Sequence, residues 1–194
     1  MRIFLLSALM LVSNVSLAAA FLKVVPGKIS NFERVPAEKT RLIQSFDIIE
    51  AVINSEEFKE LVIQYKGKGK FGGYTSHQGL TNEQIYEKIM SGKEVVGGTQ
   101  TLMEMNFDVS RYVPILPSHV IGRTYVGLSN LIEVNGRKYA FLSPADMAAN
   151  LTHEWIHLLG FLHTNAEDLQ SVPYAVGDIM QKLAEKYLAQ GFLH

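Results

Sequence analysis

The stretch His153-Glu154-Trp155-Ile156-His157-Leu158-Leu159-Gly160-Phe161-Leu162-His163 decides how the rest of the chain is read. Residues four apart on an α-helix are offset by about 40° after a full turn, so His153 and His157 project side by side and can aim ring nitrogens at one ion. Glu154 is rotated by about 100° from His153, which sets it beside a water on that ion rather than among its ligands. Gly160 ends the helix, because a residue without Cβ takes the left-handed conformation that turns the chain back. His163 then reaches the ion from a non-helical segment. Three neutral imidazoles leave one position for water, the pattern of a catalytic zinc site rather than a closed structural one. One zinc ion is the expected cofactor.

Ser143-Pro144-Ala145-Asp146 opens the helix that carries these residues. It offers a hydroxyl cap, a proline at the first helical position and a carboxylate in the first turn, so the helix is predicted to run to about Leu159. Trp155, Leu158, Leu159 and Leu162 lie on its other faces and are expected in the core. The remaining histidines, His77, His119 and His194, have no spacing partner and read as solvent-facing or loop residues.

Upstream the pattern changes twice. Leu42, Phe46, Ile49 and Ile53 define one face of a helix beginning near Glu38, after a non-periodic, extended lead-in over 21–37. Ser55 caps a second helix with Phe58, Leu61, Val62 and Tyr65 on its inner side, although the pair can also be read as one kinked helix. Residues 66–73 are too glycine-rich for a regular element and read as a solvated loop. Thr81 and Gln84 make a capping box for a short helix through Ile85, Ile89 and Met90 that Gly92 ends. Met103, Met105, Phe107 and Val109 then alternate with polar residues as in a strand with one buried face, and their methionines read as core packing. Two further strands are expected over 120–126 and 131–134, the second stopped by the turn signal Asn135-Gly136. The fold class is therefore α+β, a small twisted sheet with helices, an active-site helix and a short C-terminal segment ending in a helix.

With these residues in place, the chain resembles the metzincin clan of zinc peptidases, which includes astacins, matrixins, serralysins and reprolysins. The full signature falls on His153, Glu154, His157, Gly160 and His163. Ala149-Asn150-Leu151-Thr152-His153-Glu154-Trp155, together with Ser171-Val172-Pro173-Tyr174-Ala175-Val176-Gly177, is similar to exported bacterial members of the clan. The resemblance implies zinc held by His153, His157 and His163, and Glu154 as general base. It also implies one catalytic domain over 21–194, divided into 21–160 with the active-site helix and 161–194 as a C-terminal subdomain. Metzincins place a methionine turn beneath the zinc, but here Pro173 stands where the methionine would be. Met180, the sole later methionine, falls in a helical pattern with Ile179, Leu183 and Tyr187. Either Met180 or the Val172-Pro173-Tyr174 segment underlies the ion. Tyr174 then reads either as a packed aromatic or, as in some members of the clan, as a hydroxyl donor to the oxyanion.

Composition removes other classes. The chain has 194 residues, 47% hydrophobic and 19% charged, with a formal charge of −1, which is neither disordered nor basic enough for a nucleic-acid partner. Without cysteine it has no disulfides, no thiol nucleophile and no thiolate with which to block a zinc ion. Residues 1–20 read as a secretory signal: Arg2, an apolar run and Ala18-Ala19-Ala20 for cleavage. An exported, periplasmic or extracellular bacterial monomer follows, with no stable membrane anchor after signal removal. The expected function is a secreted zinc endopeptidase acting on polypeptide, by zinc-activated water with Glu154 taking the proton. The alternatives are a zinc amidase acting on cell-wall cross-links and a non-catalytic, zinc-stabilised binding protein.

Overall fold

The computed structural model describes residues 21–67, 73–96, 103–163 and 168–192. The signal segment 1–20, part of the glycine-rich stretch and His194 lie outside them. Among the described residues, six helices and one four-stranded mixed sheet make an α+β fold.

The lead-in is not a featureless extension: it contains β1 (Lys23–Ser30), which pairs in parallel with β2 (Glu104–Tyr112). Pro26-Gly27 hid it, because the register slips between Pro26 and Ile29 and alternation is lost there. Such an irregular strand with a proline is tolerated at a sheet edge, and β1 is an edge. The Lys28 amide donates to Asp108 Oδ1 at 2.6 Å across the slip. Leu22, Val24 and Phe32 from this region are buried.

Helices α1 (Pro36–Ile53) and α2 (Glu56–Ile63) are separate, with the Ser55 side chain accepting from the Phe58 amide. Leu42, Phe46, Ile49 and Ile53 face the core as expected, whereas Leu61 is exposed, so the inner side of α2 rests on Phe58 and Val62. Helix α3 (Asn82–Ser91) has the Thr81/Gln84 capping box and ends at Gly92. In β2 the buried residues are Met105, Phe107 and Val109. Met103 precedes the strand with φ 65° and does not share its alternation.

The strand expected over 120–126 shrinks to β3 (Gly122–Thr124), antiparallel to β4 (Leu131–Asn135), which also pairs in parallel with β2. The order β1-β2-β4-β3 leaves β3 at the second edge. Asn135-Gly136 is not a hairpin turn. Asn135 instead caps the short helix α4 (Gly136–Tyr139) through the Arg137 amide, the other common use of an asparagine side chain. The chain then enters α5 (Pro144–Leu158) and closes with α6 (Val172–Ala189).

Polar links fix the entry to α5. Arg111 on β2 pairs with the buried Glu38 of α1 at 2.8 Å and donates to the Gly136 carbonyl. Arg41 on α1 donates to the carbonyls of Ala140 and Leu142. Two elements, β2 and α1, thus hold the connection that leads into α5. No described helix is long and apolar enough to cross a membrane.

Candidate metal centre and cleft

Helix α5 begins as its sequence dictates, with Ser143 and Asp146 forming a reciprocal capping box and Pro144 at the first position. Trp155, Leu158 and Leu159 are buried, which holds the helix against the core. Leu162 is not a core residue. It is 54% exposed and lines the cleft, because it lies beyond the end of the helix in the segment that carries His163. Gly160 ends α5 with φ 90°, and the chain reverses there.

That reversal brings three imidazoles together. Ring centroids are 5.0 Å apart for His153 and His157, 4.8 Å for His157 and His163, and 5.6 Å for His153 and His163. One ligand atom from each lies within 4.8 Å of the others, so the three could hold a metal ion. The donor set fits the task in two further respects. His157 Nδ1 is engaged by the Phe161 carbonyl at 2.7 Å, which orients the ring and turns Nε2 to the cleft. Burial and the neighbouring His157 and His163 push His153 down to about 3, and burial lowers His157 as well. Both rings are therefore neutral at physiological pH, the state in which imidazole is a ligand.

Glu154 is buried beside the cluster, and burial pushes its carboxyl up to about 8. A carboxyl so placed exchanges a proton near neutrality. Its neighbours were not legible beforehand. A Cβ on Gly122 of β3 would lie 2.9 Å from Glu154 Oε1 and 2.6 Å from Asn150 Oδ1, so the bare glycine backbone is what lets the strand approach both. Asn150 in turn accepts from the buried Tyr139 hydroxyl at 2.8 Å. The position of Asn150, one turn before Glu154 on the same helix, is the signal that could have marked it.

Residues 171–177 are the start of α6 rather than a free turn. They back the cluster directly: the Tyr174 ring lies 4.5 Å from His153 and 4.9 Å from His163, and His153 hydrogen-bonds the Pro173 backbone. A Cβ on Gly177 would lie 3.3 Å from His153 Cβ. Met180 is fully buried in the same helix. Tyr174 is half-buried at the cleft wall, with its phenol raised by burial and then by the Glu154 charge.

A second clasp acts on the His163 segment. Gln78, held at φ 57°, donates to the Gly160 carbonyl at 2.6 Å, and Thr75 and Ser76 hydrogen-bond Asp168. Residues on both sides of His163 are thus tied to one loop that no sequence spacing announced. His77 on this loop is exposed, and His119 is an exposed loop residue at the rim of the cleft. Glu167 lies outside the described residues.

The cluster opens into a cleft of about 720 Å³, lined on one side by α5 and α6 and on the other by residues 119–124 and 126. Searches against protein-family models, curated proteins and solved structures find no match for this chain.

Proposed function

We propose that the protein is an exported, metzincin-like zinc endopeptidase. The observation that carries the reading is the convergence of His153, His157 and His163 in one cleft, with the Glu154 carboxyl beside them and Tyr174 against two of the rings. Three neutral imidazoles with no thiolate are a donor set that suits zinc, as one of the divalent ions that imidazole takes. When bound, zinc supplies a Lewis-acid centre for water activation and carbonyl polarisation.

The chain's own residues do the rest. Glu154 accepts the proton of the attacking water and passes it to the leaving amine, a role for its ionised form that its place in the cleft beside the three imidazoles allows. The Tyr174 hydroxyl donates a hydrogen bond to the developing oxyanion. An extended substrate lies along β3, whose outer edge has no strand neighbour among the described residues, and pairs with it by backbone hydrogen bonds. Residues 21–160 and 161–194 then form the two parts of one catalytic unit around the cleft.

The test is cleavage of casein and of peptidoglycan by purified protein, each with and without a chelator. Chelator-sensitive casein cleavage is expected; action on peptidoglycan alone identifies an amidase, and neither activity in zinc-loaded protein marks a binding role. Glu154→Gln should retain zinc and lose roughly 100-fold of turnover. Tyr174→Phe should lose about 100-fold with stability unchanged, and near-normal turnover would make Tyr174 a packing residue. His163→Ala should lose most of its zinc, and full retention would direct attention to Glu167.

A further inference from the structure

We infer that Asn150 is a substrate-contacting residue, its side-chain amide donating to a backbone carbonyl of the bound polypeptide; the inference rests on the peptidase reading. Asn150 lies on α5 at the cleft, between Glu154 and the β3 edge. Its Oδ1 accepts from Tyr139, a tyrosine with no solvent exposure whose hydroxyl has no other hydrogen-bond partner among the described residues. The amide nitrogen makes no hydrogen bond within the described protein, yet it is not among the buried atoms lacking a partner. Asn150 lines the cleft, so this nitrogen, which is not fully buried, is available there as a donor.

The orientation has a reason. A flipped amide could still donate to the Tyr139 oxygen, but it would leave the buried phenol hydrogen without an acceptor, so the amide oxygen stays on Tyr139 and the side chain presents N–H. A peptide lying along β3 offers carbonyls at regular intervals, the acceptors that such a donor recognises whatever the side chains. Asn150 precedes Glu154 by one helical turn, about 6 Å along the axis, or roughly two residues of extended chain. Its partner is then a carbonyl beside, and not at, the scissile bond. The contact is made equally in ground state and transition state, so its loss falls on KM and not on kcat.

Two variants separate the donor from the scaffold. Asn150→Asp keeps an acceptor for Tyr139 and removes both donors. Tyr139→Phe with Asn150→Ala removes both partners together and leaves no orphaned buried hydroxyl. A casein-derived fluorogenic peptide cleaved by the wild type is the probe, read as KM and kcat. Its binding to Glu154→Gln protein, with and without each Asn150 change, gives a readout that needs no turnover. Both variants should raise KM and Kd about tenfold, with kcat in the double variant within about twofold and zinc content unchanged. A fall in melting temperature with KM and Kd unchanged would reduce Asn150 to a scaffold residue and overturn the inference. Wild-type protein that loads zinc but cleaves no peptide overturns the peptidase reading, and this inference with it, an outcome distinct from cleavage that ignores Asn150.

Discussion

The two walls of the cleft are built differently. On the helical wall, α5 and α6 are locked at every level: a capping box at Ser143 and Asp146, a Gln181–Asp146 hydrogen bond at 2.8 Å, Tyr139 on Asn150, and Trp155 on the buried Glu94. On the opposite wall, β3 has three residues, and Val113, Ile115, Leu116, Val120 and Ile121 around it are exposed. That wall is tied to the sheet by Asn135 on the backbone of Val120 and Ile121, by the three-residue pairing with β4 and by the Arg123–Glu133 ion pair at 2.9 Å. The difference separates two demands. On the proposed peptidase reading, ligands and a base have to be placed before substrate arrives, which needs packed helices, while a surface that takes many peptides has to yield.

If the helical wall is the rigid one, its central side chain should carry the largest effect. Trp155 has no exposure, and its indole nitrogen donates to Glu94 Oε1 at 2.8 Å. Trp155→Ala should cost about 3–5 kcal/mol, enough to unfold much of a protein of ordinary stability. Chemical denaturation of the metal-free protein measures it. A loss below about 1 kcal/mol would mean that α5 is held by its caps and not by its core face.

Gly177 of α6 and Gly122 of β3 each approach α5, and they test the walls against one another. A methyl group on Gly177 would lie 3.3 Å from the Ala149 carbonyl and 3.3 Å from His153 Cβ, neither of which can swing aside. Gly177→Ala should therefore cost about 1–3 kcal/mol of stability. On Gly122 the same methyl would lie 2.6 Å from Asn150 Oδ1 and 2.9 Å from Glu154 Oε1, the ends of side chains that can move. Gly122→Ala should lose less stability but about 100-fold of turnover, since displacing the base by an ångström is that costly. Thermal melts and casein assays on the pair decide it, and equal stability losses would erase the distinction between the walls.

Helical features with strong local rules were legible in the chain. The caps at Ser55, Thr81 and Ser143, the stripe on α1 and the spacing of His153, Glu154, His157 and His163 each depend on residues within a few positions, so the sequence displays them. What it hid is non-local. β1 is recognisable only once β2 is beside it, and the burial of Leu22, Val24 and Phe32 makes the lead-in part of the fold. Leu61 and Leu162 look apolar and inward by period, yet they face solvent because the elements that would cover them lie elsewhere. Around the candidate site, the approach of Gly122, the Tyr139 tether and the Gln78 clasp all join residues 10 or more positions apart, with no spacing rule to announce them.

The smallest expected effect concerns whether the helical wall contains an electrostatic cost. Glu94 is 3% exposed, and its Oε1 accepts from the Trp155 indole at 2.8 Å and the Asn106 amide at 2.9 Å. Burial nevertheless raises its carboxyl above the ordinary range, outweighing these two donors and its own backbone amide. A carboxyl whose folded-state pKa is raised holds its proton more tightly when folded. Its contribution to stability is complete below the unfolded carboxyl range and is lost as pH rises through the folded value. Glu94→Gln keeps the acceptor and removes the ionisation, while the titrating histidines are common to both proteins and cancel in the comparison. The melting temperature of the wild type minus that of Glu94→Gln should therefore be greatest near about pH 4, fall as pH rises, and level off once Glu94 is ionised in both states. The opposite slope, with the wild type gaining on the variant as pH rises, would show that the two donors stabilise an ionised Glu94 more than burial penalises it. The anchor of Trp155 would then be a charge-assisted hydrogen bond, and the helical wall would be strongest at neutral pH instead of weakest.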